Sequence, residues 1–266
     1  MKKSIHTSRW IWIGIGAIGV IAYTLLSRAA PVPGESCGLG MAPGTPGFAA
    51  AEERERAEVR KNGFLHVCEA NLERYKISFE PMSRAYEDLA FPPVELARTP
   101  FSQFKSIGGM AEGVSKTKSR LYRGFQMPGG HIVTLFEHDM SADGTSISRN
   151  PADEPERING MPARLSVLQA GAGDAISHLS WTEGRRYYEL WIGANVAGSP
   201  LREQLFALAS SLPRSSPACP NEIPPKEVVF GPDGMPVMEP PPASLTESEM
   251  KAYVDEFNRK NTPCRG

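Results

Sequence analysis

An uncharged apolar run from Trp10 to Leu26 most restricts what this sequence can fold into, because such a run does not suit the surface of a soluble domain. Lys2, Lys3 and Arg9 precede it without any acidic residue. Basic residues before an apolar run stay in the cytoplasm, so the rest of the chain is expected across the membrane. As a helix, the run spans roughly 25 Å, slightly less than a ~30 Å hydrocarbon core.

This length fits either a cleavable signal or a retained anchor. Trp10 and Trp12 favour an anchor, because their rings prefer the membrane interface. A cleavage site needs small residues at −3 and −1, and the best pair, Ser27 and Ala29, has Arg28 between its members. The prediction is a single-pass bacterial inner-membrane protein with most of the chain in the periplasm. Its expected segments are a cytoplasmic tail at 1–9, an anchor at 10–27 and a linker at 28–48.

Two sequence features exclude common partners. Gly14, Gly16 and Gly19 have the spacing of a dinucleotide-binding fingerprint, but that motif needs a preceding strand in a βαβ unit. Here the glycines lie in the apolar run, so no cofactor is expected. The net charge of −1 gives no electrostatic basis for nucleic-acid binding.

Four widely spaced cysteines predict disulfide bonds in an oxidising compartment. The favoured pairs are Cys37–Cys68 and Cys219–Cys264, because each would fasten a flanking segment to the domain. Two other pairings, and four free thiols, remain alternatives. None of the cysteines forms C-x-x-C or lies near a histidine pair, so no metal site is expected.

The pattern between residues 49 and 212 predicts an α+β domain, an antiparallel sheet with packed helices. Alternating polarity and turn residues predict strands, whereas apolar spacing and capping residues predict helices. The expected helices are 49–62, 100–114 (with Thr99 as cap) and 200–212; the expected strands are 75–79, 120–126, 131–140, 163–169, 175–182 and 185–193.

A Pro-rich linker is predicted at 213–243, with ten prolines between 213 and 242. Pro232-Asp233-Gly234 indicates a turn, which would join residues 228–230 to Val237 in a small hairpin. A C-terminal helix and cysteine-anchored tail are expected at 244–266, because Thr246 and Glu249 form a capping-box pattern.

Aromatic residues concentrate on the hairpin formed by the last two predicted strands. Alternation places Tyr188 on one face and Tyr187, Glu189 and Trp191 on the other. If one face covers the core, the other exposes these three residues, which are the candidates for binding a partner. The alternative is that both faces are covered within the domain.

No catalytic residue is assigned from the sequence. His138 and Asp139 are adjacent in a strand and therefore point to opposite faces. His178 shares a strand face with Ser180, and an ordinary core or surface histidine is expected there. The acidic residues at 153–156 are expected to be solvated loop charges.

The stretch 159–212 combines Asn159-Gly160, a strand, Trp181 to Gly184, a second strand at 188–192 and an amphipathic helix. This order resembles small envelope α+β domains of the PsbP-like kind, as in some type VI secretion immunity proteins and anti-sigma ectodomains. The resemblance implies protein binding and carries over no functional residue. The expected function is immunity against an envelope-targeted toxin. The alternatives are an accessory subunit of an envelope complex and, third, a hydrolase acting on lipid or cell wall.

Overall fold

The computed structural model describes residues 46–114, 117–147, 149, 153–225, 228–231, 237 and 246–261. The predicted anchor and almost all of the linker lie outside this part of the chain. Within it, no helix is both long enough and apolar enough to cross a bilayer. The elements in chain order are α1 (Phe48–Asn62), β1 (Leu65–Val67), α2 (Glu69–Leu72), a 3₁₀ turn (Glu73–Tyr75), α3 (Met82–Ala85), a second 3₁₀ turn (Pro100–Gln103), β2 (Lys105–Val114), β3 (Thr117–Gln126), β4 (Ile132–Asp139), α4 (Met140–Asp143), β5 (Glu156–Ile158), β6 (Met161–Ala170), β7 (Ala175–Glu183), β8 (Arg186–Ile192), α5 (Pro200–Ser210) and α6 (Glu247–Asn261).

Eight strands form one mixed sheet in the order β1-β6-β7-β8-β4-β3-β2, and β5 also pairs with β6. The α+β class is therefore confirmed. The expectation of a wholly antiparallel sheet is wrong at one place, because β1 runs parallel to β6. β1 follows directly from α1 and lies far from β6 in sequence, so no hairpin turn fixes its direction.

One face of the sheet packs against α5 and forms the main core. Leu205, Leu208 and Ala209 of α5 are buried against side chains such as Leu135 and Leu190. The helix begins as predicted, because the Ser199 hydroxyl accepts a hydrogen bond from the Leu201 amide at 3.2 Å. The paired strands of both predicted hairpins, β3–β4 and β7–β8, are also confirmed.

The opposite face of the sheet is partly covered by α1 and by the turn at Glu73–Tyr75, and we call it the cleft face. The helix α1 ends as predicted at Gly63, whose φ of 79° is in the left-handed region that favours glycine. The side chains that define the cleft face are Tyr122, Phe136, His178, Tyr187, Glu189 and Trp191.

The predicted helix at 100–114 is wrong. Thr99 does precede a short 3₁₀ turn, but residues from Lys105 onward form β2 and pair with β3. Two adjacent glycines disfavour a helix there by about 1 kcal/mol each. Gly109 suits the strand, because a Cβ atom at this position would lie 2.9 Å from the backbone oxygen of Tyr122.

The predicted strand at 75–79 is also wrong. Tyr75 belongs to a 3₁₀ turn, and only Glu80 makes a β-bridge, to Gly109. The alternation is nevertheless real as a burial pattern, since Tyr75, Ile77 and Phe79 are half-buried while the residues between them are exposed. These side chains pack without a ladder of backbone hydrogen bonds beneath them.

The capping box of the last helix is confirmed. The Thr246 amide donates to the Glu249 carboxylate at 2.8 Å. Within the predicted linker, Arg214 binds Glu183 at 3.0 Å, so part of that segment lies against the β7–β8 turn. Neither Cys68 nor Cys219 is a free thiol. The pairing itself stays a prediction, because Cys37 and Cys264 lie outside the described residues.

Candidate functional site

Two adjoining cavities open on the cleft face and form one groove. The larger cavity, about 890 Å³, lies between α1, β6 and the side chains of Ile147, Arg149 and Asp153. The smaller cavity, about 420 Å³, lies over β3, β4 and β8. Ile147 and Tyr187 line both cavities, so Tyr187 stands at their junction. Both volumes are in the range that is typical of ligand-binding pockets.

The groove has an aromatic floor built around Trp191. The ring centroids of Tyr75, Tyr122 and Phe136 lie 5.5, 5.8 and 6.3 Å from that of Trp191. Trp191 is only 5% exposed, so the expected exposure is wrong at this residue, where the alternative of a face covered within the domain holds. The cause is the 3₁₀ turn that ends at Tyr75, which brings this tyrosine over the sheet.

Tyr187 and Glu189 share the cleft face with Trp191, as alternation predicted, but they remain half-buried at the groove. The Tyr187 hydroxyl donates to one oxygen of Glu189, and Nε2 of His178 lies 3.1 Å from the other. Burial alone would raise the pKa of Glu189, but the contacts with His178 and Tyr187 outweigh it and lower that pKa. Burial, followed by the nearby Glu189, raises the pKa of Tyr187.

Arg149 contacts three other side chains at the larger cavity. It forms an ion pair with Glu154, and its Nη2 donates to the Ser180 hydroxyl at 3.0 Å. Its guanidinium lies 5.7 Å from the Tyr187 ring centroid, within reach of a cation–π contact. The expected solvation of the acidic residues at 153–156 is wrong for Glu154, which is 8% exposed because it is bound to Arg149.

The smaller cavity is bordered by a hydrogen-bonded cluster around Asp143. Nε2 of His138 lies 2.8 Å from Asp143, and the Ser119 hydroxyl donates to the same carboxylate at 2.6 Å. Burial raises the pKa of Asp143, but hydrogen bonds from Ser119, Thr145 and His138 outweigh it and lower the pKa to about 2. Asp139 lies on the other face and pairs with Arg186 at 3.2 Å, which confirms the predicted separation from His138.

Neither the cluster around His138 nor the one around His178 arranges a hydroxyl so that the histidine could activate it as a nucleophile. Both Asp143 and the Thr145 hydroxyl, 3.1 Å away, contact the same nitrogen of His138, whereas a proton relay uses both ring nitrogens. Ser166 is the cross-strand neighbour of His178, yet no hydrogen bond joins them among the described contacts. The described residues also contain no group of three or more acidic, histidine or cysteine side chains that could hold a metal ion.

Comparisons with protein-family models, with curated proteins and with solved structures found no match to this chain. The PsbP-like resemblance therefore stays a prediction, and the function must be argued from the groove itself. The most important groove residue that sequence reasoning missed is Arg149. It lies in a loop without a periodic pattern, so only the folded structure places it beside Tyr187. Arg164 could have been found, because it alternates with Leu165 and Val167 on a predicted strand.

Proposed function

We propose that this chain is a membrane-anchored periplasmic protein that binds another protein. In its most concrete form, it is an immunity protein that inhibits a toxin directed at the bacterial envelope. Residues 10–27 hold it in the inner membrane, and the groove on the cleft face contacts the partner.

The observation that carries the proposal is a groove in which two central charged side chains, Glu189 and Arg149, are already held by their neighbours. Glu189 is held by Tyr187 and His178, while Arg149 is held by Glu154 and Ser180. Such pairing fixes side-chain positions before a partner arrives, which reduces the entropy lost on binding. Aromatic residues and arginine are also the types enriched at protein interfaces.

A hydrolase acting on lipid or cell wall is supported less well by the same groups. Hydrolysis by a serine or threonine needs a hydroxyl bound to a base that a third group orients. The Ser180 hydroxyl instead accepts a hydrogen bond from Arg149, and the Thr145 hydroxyl donates to the Asp143 carboxylate at 2.5 Å. Both hydroxyls are therefore committed to structural contacts.

A co-culture experiment tests the immunity function. A strain that lacks the chain is grown alone and beside its parent, and lysis of the deletion strain is counted. Immunity predicts normal growth alone, lysis beside the parent and rescue by the full chain. A version without residues 1–29 is the control, and it should not rescue because it is not exported.

The alternatives predict different results in the same experiment. An accessory subunit of an envelope complex predicts an envelope defect in the deletion strain grown alone, with no added lysis beside the parent. Rescue by the version without residues 1–29 would contradict a periplasmic role. Release of lipid or cell-wall fragments by the purified full chain would favour the hydrolase.

A further inference from the structure

The larger cavity reaches the edge of the sheet through a gap between two short strands. β5 pairs with β6 only as far as Ala163, and β1 pairs with it from Leu168 onward. No described strand therefore covers β6 at residues 164–167, which form part of the cavity wall. At about 3.3 Å per residue, this gap is roughly 13 Å of strand edge. Edge backbone groups of this kind bind extended polypeptide.

The two walls of the cavity are joined by an ion pair. Nη2 of Arg56, on α1, lies 2.9 Å from the carboxylate of Asp153, in the segment that leads into β5. Together with β1 and β5 at the two ends of the gap, this ion pair limits the length of any added strand. The space suits a short extended segment that enters from the open side, rather than a long strand laid along the edge.

Two arginines lie on either side of Ser180, in the region where such a segment would bind. Arg164 extends from the gap on the cleft face and is exposed, and the described contacts give it no carboxylate partner. Its cross-strand neighbour on β7 is Ser180, the residue whose hydroxyl binds Arg149. Nη1 of Arg149 is buried without a hydrogen-bond partner. An unpaired buried donor is costly, and a bound acceptor would remove that cost.

Among the described residues, the cavity wall carries five arginines and three acids, which favours an added carboxylate. Glu52 and Asp153 are both bound to Arg56, which neutralises one of their two negative charges. Glu55 is the remaining acid on the wall, and it lies on α1, across the cavity from Arg164. A carboxylate beside Arg164 would therefore meet guanidinium groups on its own side.

We propose that the larger cavity receives a short extended segment of the partner protein and binds its carboxylate between Arg149 and Arg164. This inference rests on the proposed protein-binding function and names the chemistry that the groove recognises. The planar fork of Arg164 matches a carboxylate with two parallel hydrogen bonds, and Nη1 of Arg149 offers one further donor. The carboxylate comes from an acidic side chain or from the C-terminus of the partner.

Calorimetric titration of the full chain in detergent micelles tests the proposal with three acetylated glycine–serine peptides of equal length. One has a free C-terminal carboxylate, one is amidated with a central aspartate, and one is amidated without any charge. At least one charged peptide should bind at least about tenfold more tightly than the uncharged one. The charged peptide that binds more tightly identifies the source of the carboxylate. Equal binding of all three, or no binding by any, overturns the proposal.

Arg164→Gln should weaken the preferred peptide by at least about tenfold. Because Arg164 is exposed, this variant should keep the melting temperature of the wild type. Arg98→Gln is the matched control, since Arg98 is also exposed but lines neither cavity, and its binding should not change. Unchanged peptide binding in Arg164→Gln overturns the proposal.

The site and the immunity function can fail separately. If charged peptides bind in an Arg164-dependent way but the deletion strain survives beside its parent, the site stands and the immunity function fails. If the deletion strain is lysed but Arg164→Gln alters neither peptide binding nor rescue, the function stands and the site fails.

Discussion

Arg123 and Glu137 form a buried ion pair across the neighbouring strands β3 and β4, and both side chains also bind the backbone of Val94. Arg123 donates to the Val94 carbonyl at 3.1 Å, and the Val94 amide donates to Glu137 at 2.7 Å. The side chains of the pair are 4% and 1% exposed. The pair therefore fastens the loop before the second 3₁₀ turn to the face of the sheet that packs against α5.

Replacing Glu137 with Gln should destabilise the protein by about 3–5 kcal/mol, because it leaves the Arg123 guanidinium buried without a charged partner. Urea unfolding of the full chain in detergent micelles measures this loss. Glu95→Gln is the control, because Glu95 is exposed, and its effect should stay within about 0.5 kcal/mol. The double variant Arg123→Met with Glu137→Leu should recover much of the loss. A double variant as unstable as Glu137→Gln would contradict this account.

Asp143 should make the protein sensitive to acid. Its pKa of about 2 lies below the ordinary value of 3.8, so the ionised form is stabilised by folding. This contribution is fully present above the ordinary pKa and is lost as pH falls from about 5 towards 2. Urea midpoints measured across that window should fall less steeply for Asp143→Asn than for the wild type. Asp174→Asn, at an exposed carboxylate, should keep the wild-type slope.

Gly108 and Gly129 both have positive φ angles, 121° and 95°, but differ in the space around them. A Cβ atom at Gly108 would lie 2.3 Å from the backbone oxygen of Glu80, whereas at Gly129 it would meet open space. Gly129→Ala should cost about 1–2 kcal/mol from backbone strain alone. Gly108→Ala should cost a further 1–3 kcal/mol or so from the steric clash. Equal costs in urea unfolding would show that the bridge between Glu80 and Gly109 yields easily.

Elements with local signals could be predicted from the sequence, and elements that depend on distant partners could not. Ser199 and Pro200 define the start of α5 within a few residues of chain. By contrast, the sequence of β2 has weak strand propensity, and the strand forms because β3 lies beside it. Its local sequence therefore did not predict a strand. The parallel direction of β1 likewise depends on β6, about a hundred residues away.

The candidate site follows the same rule. Alternation correctly placed Tyr187, Glu189 and Trp191 on one face, because it depends only on strand geometry. The burial of Trp191 was not predictable, because Tyr75 covers it from a 3₁₀ turn whose sequence begins the alternating pattern of a strand. Arg149 was missed for a related reason, since its contacts with Glu154, Ser180 and Tyr187 form only in the folded chain.

Substitutions at Trp191 and Glu189 should therefore have different effects, although the two residues lie two positions apart on one face. The first should lower stability and the second should weaken partner binding. Trp191→Ala removes a side chain that is 5% exposed and should cost about 3–5 kcal/mol in urea unfolding. Glu189→Gln keeps an acceptor for the Tyr187 hydroxyl and should cost about 1 kcal/mol.

The co-culture experiment completes this comparison, with each variant adjusted to the same amount of folded protein. Glu189→Gln should protect the deletion strain less well than the wild type, because it removes a charge that lines the smaller cavity. At equal folded protein, Trp191→Ala should protect as well as the wild type, since its side chain lies beneath the groove. If both variants protected as well as the wild type at equal folded protein, Glu189 would be a structural residue and the partner surface would lie elsewhere.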